Sequence, residues 1–320
     1  MNTSATTEER LWAVLSHLSS LAFGMGILLP IIGWSDQRRK SNYSSFQSLQ
    51  ALGYQSLGFT VWILSYLVII VLATILLLIT LRPGVESGQN ANVSLNPRMI
   101  FFFIIIFGFF AIYFLLPIIA AVACAFGKDF RYPIMGNRLA RYLAYDPIQK
   151  SDEQVRLNDD HEFRWVAAMG HFSILIMLWG MLAPLTTWIV YGPRSLFLRF
   201  QSIQTLVYQA ATTTLLFTGG FIYLFGFLLL VAATGIMGET NFNSPGGIFG
   251  IIVFGLSLLI SFVLILLVPF LHILGQWAGY RVLKGHDYHY PWIGNLVQRW
   301  IADRAPLAED SKLSLKGKSS

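Results

Sequence analysis

The chain has 320 residues, of which 55% are hydrophobic and only 12% charged, and its mean hydropathy is +0.60. That balance excludes an ordinary water-soluble domain and points to lipid as the solvent. A net charge of +6 is accounted for by the sidedness of membrane loops, so nucleic acid is not expected as a partner.

In chain order, the first apolar stretch, Leu11 to Trp34, is weak: it carries Ser16, His17, Ser19, Ser20, Gly24, Gly26 and Pro30. Two strong runs follow, Leu57 to Leu81 and Met99 to Phe126. A second weak stretch, Trp165 to Val190, holds His171, Gly180 and Pro184, and it too precedes two strong runs, Leu206 to Thr234 and Ile248 to Leu274. Each strong run exceeds the roughly 20 residues that a helix needs to cross a hydrocarbon core about 30 Å thick. Alternating strand patterns are absent, so backbone polar groups must be satisfied within helices, and the fold class is an all-α polytopic membrane protein. Thr7-Glu8-Glu9-Arg10 is a poor start for a cleavable signal peptide, so the N-terminus is expected to be retained. Cys124 is the only cysteine, which excludes an intramolecular disulfide and a multi-cysteine metal site.

The chain also resembles itself. FQSLQALGYQ, from Phe46 to Gln55, and FQSIQTLVYQ, from Phe200 to Gln209, share seven of ten positions. The same offset pairs His17 with His171, Pro30 with Pro184 and Trp34 with Trp188. The ends answer each other as well: Asp129-Phe-Arg-Tyr-Pro-Ile-Met-Gly-Asn137 against Asp287-Tyr-His-Tyr-Pro-Trp-Ile-Gly-Asn295. Two tandem repeats are expected, each with two long transmembrane helices and one weaker segment that is either a re-entrant hairpin or a third span. The expected division is a first repeat over 1–148, a polar linker over 149–161, a second repeat over 162–301 and a disordered basic tail over 302–320.

The weak stretch with its histidine, the FQS-Q helix start and the Tyr-Pro exit resemble a family of small bacterial membrane proteins related to the Tic-twenty type of chloroplast inner-envelope import component. Arg199-Phe200-Gln-Ser-Ile-Gln204 looks like that family's basic-aromatic helix opening, whereas the first copy has Ser45 before Phe46. The resemblance implies a non-enzymatic membrane component connected with protein translocation, needing no cofactor and assembling with other membrane proteins.

Basic residues discriminate between topologies. If each weak stretch crossed once, the two faces would carry 12 and 10 of the 22 lysines and arginines; if each turns back, one face carries 20 and only Arg82 and Arg98 lie opposite. The second arrangement has the positive-inside bias. It places the N-terminus, linker and C-terminus in the cytoplasm, and the resemblance to bacterial membrane proteins implies a bacterial inner membrane. Crossing by both weak stretches would instead give inverted repeats, the architecture of many transporters.

On a helix starting near Phe46, residues Gln47, Gln50 and Tyr54 share one face, and Gln201, Gln204 and Tyr208 repeat the stripe. Such amides hydrogen-bond to neighbouring helices or line a wet path, the latter being the feature of a small-solute transporter or channel. His17 and His171 are candidates to titrate near neutral pH. Lys128, Arg131 and Tyr132, with Arg281, Lys284, Tyr290 and Trp292, read as a basic-aromatic surface facing anionic headgroups. His286, Asp287 and His289 are not taken as metal ligands, because their counterparts are Lys128, Asp129 and Arg131. No nucleotide-binding, hydrolase or metalloprotease motif occurs, and catalysis is not expected.

Overall fold

A computed structural model describes residues 5–80, 97–146, 157–235 and 243–304. Among them every regular element is helical. The chain divides into two compact units, Met1–Met169 and Gly170–Ser320. The division falls inside a helix, after the polar stretch that the sequence marks as a linker. Most of that stretch (149–156) and nearly all of the basic tail (305–320) lie outside the described residues.

The first unit opens with α1 (Thr7–Leu18), started by Thr6: its hydroxyl accepts from the Glu9 amide at 3.3 Å while the Glu9 carboxylate accepts from the Thr6 amide at 2.6 Å. This reciprocal box satisfies two of the orphan donors at the helix start. A tight turn over Ser19–Ile27 leads into α2 (Leu28–Gln37). Phe23 stands in that turn at φ 54°, ψ −138°. There the chain reverses, and α2 returns along α1. A Cβ added at Gly33 would lie 3.1 Å from the Trp12 ring and 3.2 Å from Ser16 Oγ, and one at Gly26 would collide with the Ser19 carbonyl. Glycine at position 26 is therefore what permits the close approach.

After Ser41, whose hydroxyl caps the next helix, α3 (Asn42–Gly53) runs through one wide turn at Tyr54–Gly58 into α4 (Phe59–Thr80). The chain continues as α5 (Pro97–Ala125) and the short α6 (Met135–Leu143), whose apolar face, Leu139, Ala140 and Leu143, is buried in the unit.

The second unit follows the same order. The helix α7 (Asp159–Phe172) starts in the first unit and carries His171 into the second. A turn over Ser173–Met181 has Met177 at φ 54°, ψ −128°, and α8 (Leu182–Tyr191) returns. Ser173 Oγ donates to the Gly180 carbonyl at 2.8 Å; in a straight helix those residues would be about 10 Å apart along the axis. Two long helices, α9 (Leu196–Gly235) and α10 (Pro245–Leu283), precede α11 (Ile293–Arg304). Small residues bring α9 and α10 together: Ser261 Oγ donates to the Gly219 carbonyl at 2.7 Å, Gly226 faces Ser257 and Gly250 faces Ala233. Close backbone approach of this kind is how helices pack in lipid, where hydrophobic association is absent.

Among the described residues five helical stretches have the total length and apolarity of a membrane span: Thr7–Gln37, Asn42–Ile75, Asp159–Arg194, Leu196–Thr234 and Pro245–Leu283, with a shorter apolar stretch at Ala111–Ala125. The first and third of these contain the reversals at Phe23 and Met177. Their arms are 12 and 10 residues, then 14 and 10, or roughly 15–21 Å, too short to cross a core about 30 Å thick.

Candidate functional site

In the first unit the glutamine stripe and the histidine meet. His17, fully buried, lies 3.0 Å from Gln47 Oε1 through Nε2 and 3.1 Å from the Tyr132 hydroxyl through Nδ1. The direction of these bonds follows from Gln47, whose Nε2 donates to Asp129 Oδ1 at 3.0 Å and to the Phe130 carbonyl at 3.1 Å. A carboxylate accepts only, so Gln47 Oε1 faces the imidazole, Nε2 of His17 carries the proton, and Nδ1 accepts from Tyr132. Neutral imidazole uses both ring nitrogens in this arrangement.

Gln50 ties down the returning chain. Its Nε2 donates to Gln47 Oε1 at 3.1 Å and to the Phe130 carbonyl at 3.0 Å, and its Oε1 accepts from the Tyr132 amide at 2.8 Å. The Tyr132 ring stacks on Tyr54, with centroids 4.2 Å apart, and Tyr54 donates to the Tyr113 carbonyl of α5 at 2.8 Å. Burial raises the Tyr132 hydroxyl well above the ordinary phenol range, which keeps it a donor. Burial also holds the Asp129 carboxyl above its usual range, partly offset by Arg131, whose Nε donates to Asp129 at 3.1 Å.

The second unit contains the same set. His171 lies 3.1 Å from Gln201 Oε1 and 3.0 Å from the Tyr290 hydroxyl; Gln204 donates to Gln201 Oε1 at 2.6 Å and to the Tyr288 carbonyl at 2.7 Å, and accepts from the Tyr290 amide at 3.2 Å. Tyr290 stacks on Tyr208 at 3.8 Å, and Tyr208 donates to the Leu271 carbonyl at 2.8 Å. Thr205, where the first unit has Ala51, adds a hydroxyl 3.0 Å from His171 Nδ1.

Of the residues assigned to a headgroup-facing surface, two belong elsewhere. Tyr132 and Tyr290 are 3% and 2% exposed, held inside by histidine, glutamine and a stacked tyrosine. Arg131 is occupied by Asp129 and Asn137. Lys128 and Lys284 are exposed, Arg281 is partly exposed, and Trp292 is the most exposed large apolar residue among those described, at 89%.

The sequence reading missed a second glutamine function. Gln55 Nε2 donates to Ser19 Oγ at 2.9 Å and to the Ser16 carbonyl at 3.3 Å; Gln209 does the same to Ser173 Oγ and the Gly170 carbonyl. These amides pin each hairpin to the helix after it. Their signal was present, since both close the repeated FQS-Q string. Also missed was Arg38: buried with Glu162, it donates from Nε and Nη2 at 3.1 and 2.9 Å, and Nη2 reaches Asp159 at 2.5 Å. Among the described residues no group of three or more His, Cys, Asp and Glu is placed to hold a metal ion.

A protein-family model, that of the MamF/MmsF magnetosome magnetite crystal formation protein family, matches residues 8–139. This stretch is under half the chain and contains all but the first residue of the first hairpin, together with the His17–Gln47–Tyr132 network. The match overturns the resemblance to Tic-twenty-type import components, and with it the link to protein translocation. It includes no residue of the second unit. Neither curated proteins nor solved structures gave a match.

Proposed function

We propose that this chain is a non-enzymatic component of a magnetite-forming membrane compartment, made of two copies of one hairpin-and-helix-pair unit. The observation that carries the reading is the match to the magnetite crystal formation family over residues 8–139, a stretch that takes in nearly all of one hairpin, one helix pair and the His17–Gln47–Tyr132 network. Support for duplication comes from the bonds within each unit: His17, Gln47, Gln50, Gln55 and Tyr132 make the contacts that His171, Gln201, Gln204, Gln209 and Tyr290 make. The network acts as a structural clamp. Its amides and imidazoles are spent on one another and on backbone, which leaves few of them to line a solute path and disfavours the transporter reading.

The experiment is to produce the fluorescently tagged chain in a magnetite-forming bacterium from which the family members have been removed. Localisation to the crystal-bearing membrane, with a change in crystal size or number, is the expected outcome; a uniform distribution with unaltered crystals would sink the proposal.

We further propose that each hairpin enters and leaves on the side that holds the linker. In a Cys124→Ala background, Lys40→Cys and Arg194→Cys should then label with an impermeant thiol reagent from the same side, and Asn243→Cys from the other. Labelling of Lys40→Cys and Asn243→Cys from one side would overturn this arrangement.

A further inference from the structure

Each unit leaves its last long helix through a Tyr-Pro-X turn of unusual geometry. The Met135 amide donates to the Pro133 carbonyl at 2.7 Å and the Ile293 amide to the Pro291 carbonyl at 2.7 Å. The residues between them, Ile134 and Trp292, stand at φ 65° and φ 62°. A three-residue turn with positive φ at its centre is the rare, strained form of the γ-turn, and glycine is the residue that adopts it without steric cost. Here the apex is instead a β-branched aliphatic residue in one unit and the largest aromatic in the other. Neither side chain packs into its own unit: Ile134 is 78% and Trp292 89% exposed. In water such residues meet both penalties, backbone strain and solvated apolar surface, with no return. Strained conformations that persist without an internal reason mark functional positions.

The surroundings identify what covers them. The apolar face of α6 is already turned inward, so its outer face offers Arg138 and Arg141, both exposed. On α11 the outer face offers Leu296, 65% exposed, and Arg299. Both turns come within ten residues of the end of an apolar helix, Ala125 or Leu283, which is where a headgroup layer begins. We infer that Ile134 and Trp292 are anchors that each unit sets into the surface of an anionic lipid bilayer, with the flanking arginines on the lipid phosphates. Apolar insertion beside cations is the pattern by which interfacial helices hold such a surface. The inference rests on the chain being a membrane component and is independent of magnetite.

The test uses the full chain carrying Cys124→Ala and either Ile134→Cys or Trp292→Cys, labelled with an environment-sensitive fluorophore and reconstituted into phosphatidylcholine vesicles with and without phosphatidylglycerol. Flotation with the vesicles establishes insertion first, so failure of the anchor is separable from failure of the membrane reading. With anionic lipid the probes should be quenched several-fold more by headgroup-proximal spin-labelled lipid than a probe at Asn158→Cys, and several-fold less by aqueous iodide. Arg138→Gln with Arg141→Gln should raise iodide access at position 134 while leaving the melting temperature unchanged. Iodide access at 134 and 292 equal to that at 158 would overturn the inference. So would shielding that disappears on dilution of the protein into excess lipid, because a second copy would then be the cover.

Discussion

Arg38→Leu is expected to destabilise the first unit by about 3–5 kcal/mol, the usual penalty for removing one member of a buried ion pair. Arg38 and Glu162 side chains are 4% and 1% exposed, so the orphaned carboxylate has no water to turn to. Adding Glu162→Gln removes that charge while keeping an acceptor for the Trp34 indole N–H, which donates to Glu162 Oε1 at 3.2 Å. The double variant should recover most of the loss in thermal or denaturant unfolding, as the coupling in a double-mutant cycle. If it recovers none, the loss comes from packing of the guanidinium over Phe163, 4.4 Å from the ring centroid.

Gln50→Leu should cost about 1–3 kcal/mol, the penalty for leaving a buried donor unmade, because the Tyr132 amide loses its acceptor while the Phe130 carbonyl keeps Gln47. Gln204→Leu should do the same in the second unit through the Tyr290 amide. Regarded as an amide on one helix facing a side chain on another, either residue would be worth only about 0.6 kcal/mol. The difference lies in the partner, which is backbone on the returning chain. Unfolding of both single variants within about 0.5 kcal/mol of the parent, well inside the range of neutral substitutions, would rule out the clamp.

What the sequence made legible was periodic or repeated. Residues 47, 50 and 54 share a face by helix geometry alone, and the histidine opposite them could be found by aligning the chain with itself. The sidedness of the basic residues favours a reversal in each weak stretch, and Gly24, Gly26 and Gly180 are where its helix can be interrupted. Tyr132 and Tyr290 were misplaced because a tyrosine among lysines and arginines has the composition of a headgroup belt. Only the return of the chain beneath α3 or α9 reveals that the ring is enclosed. Arg38 escaped for the opposite reason. At the repeat offset its counterpart is Gly192, so self-comparison discards it, and its partners Glu162 and Asp159 are more than 120 residues away.

The clamp also has a consequence in time. His17 is synthesised 115 residues before the tyrosine that completes its bonds, and His171 precedes its own by 119. At roughly 5–20 residues per second, each hairpin waits on the order of 6–24 s for the tyrosine that pairs with its imidazole Nδ1, while the long helices that follow are still being made. The hairpin is thus the first part of each unit to exist and among the last to close, and its polar face is open to any donor or acceptor that reaches it during that interval.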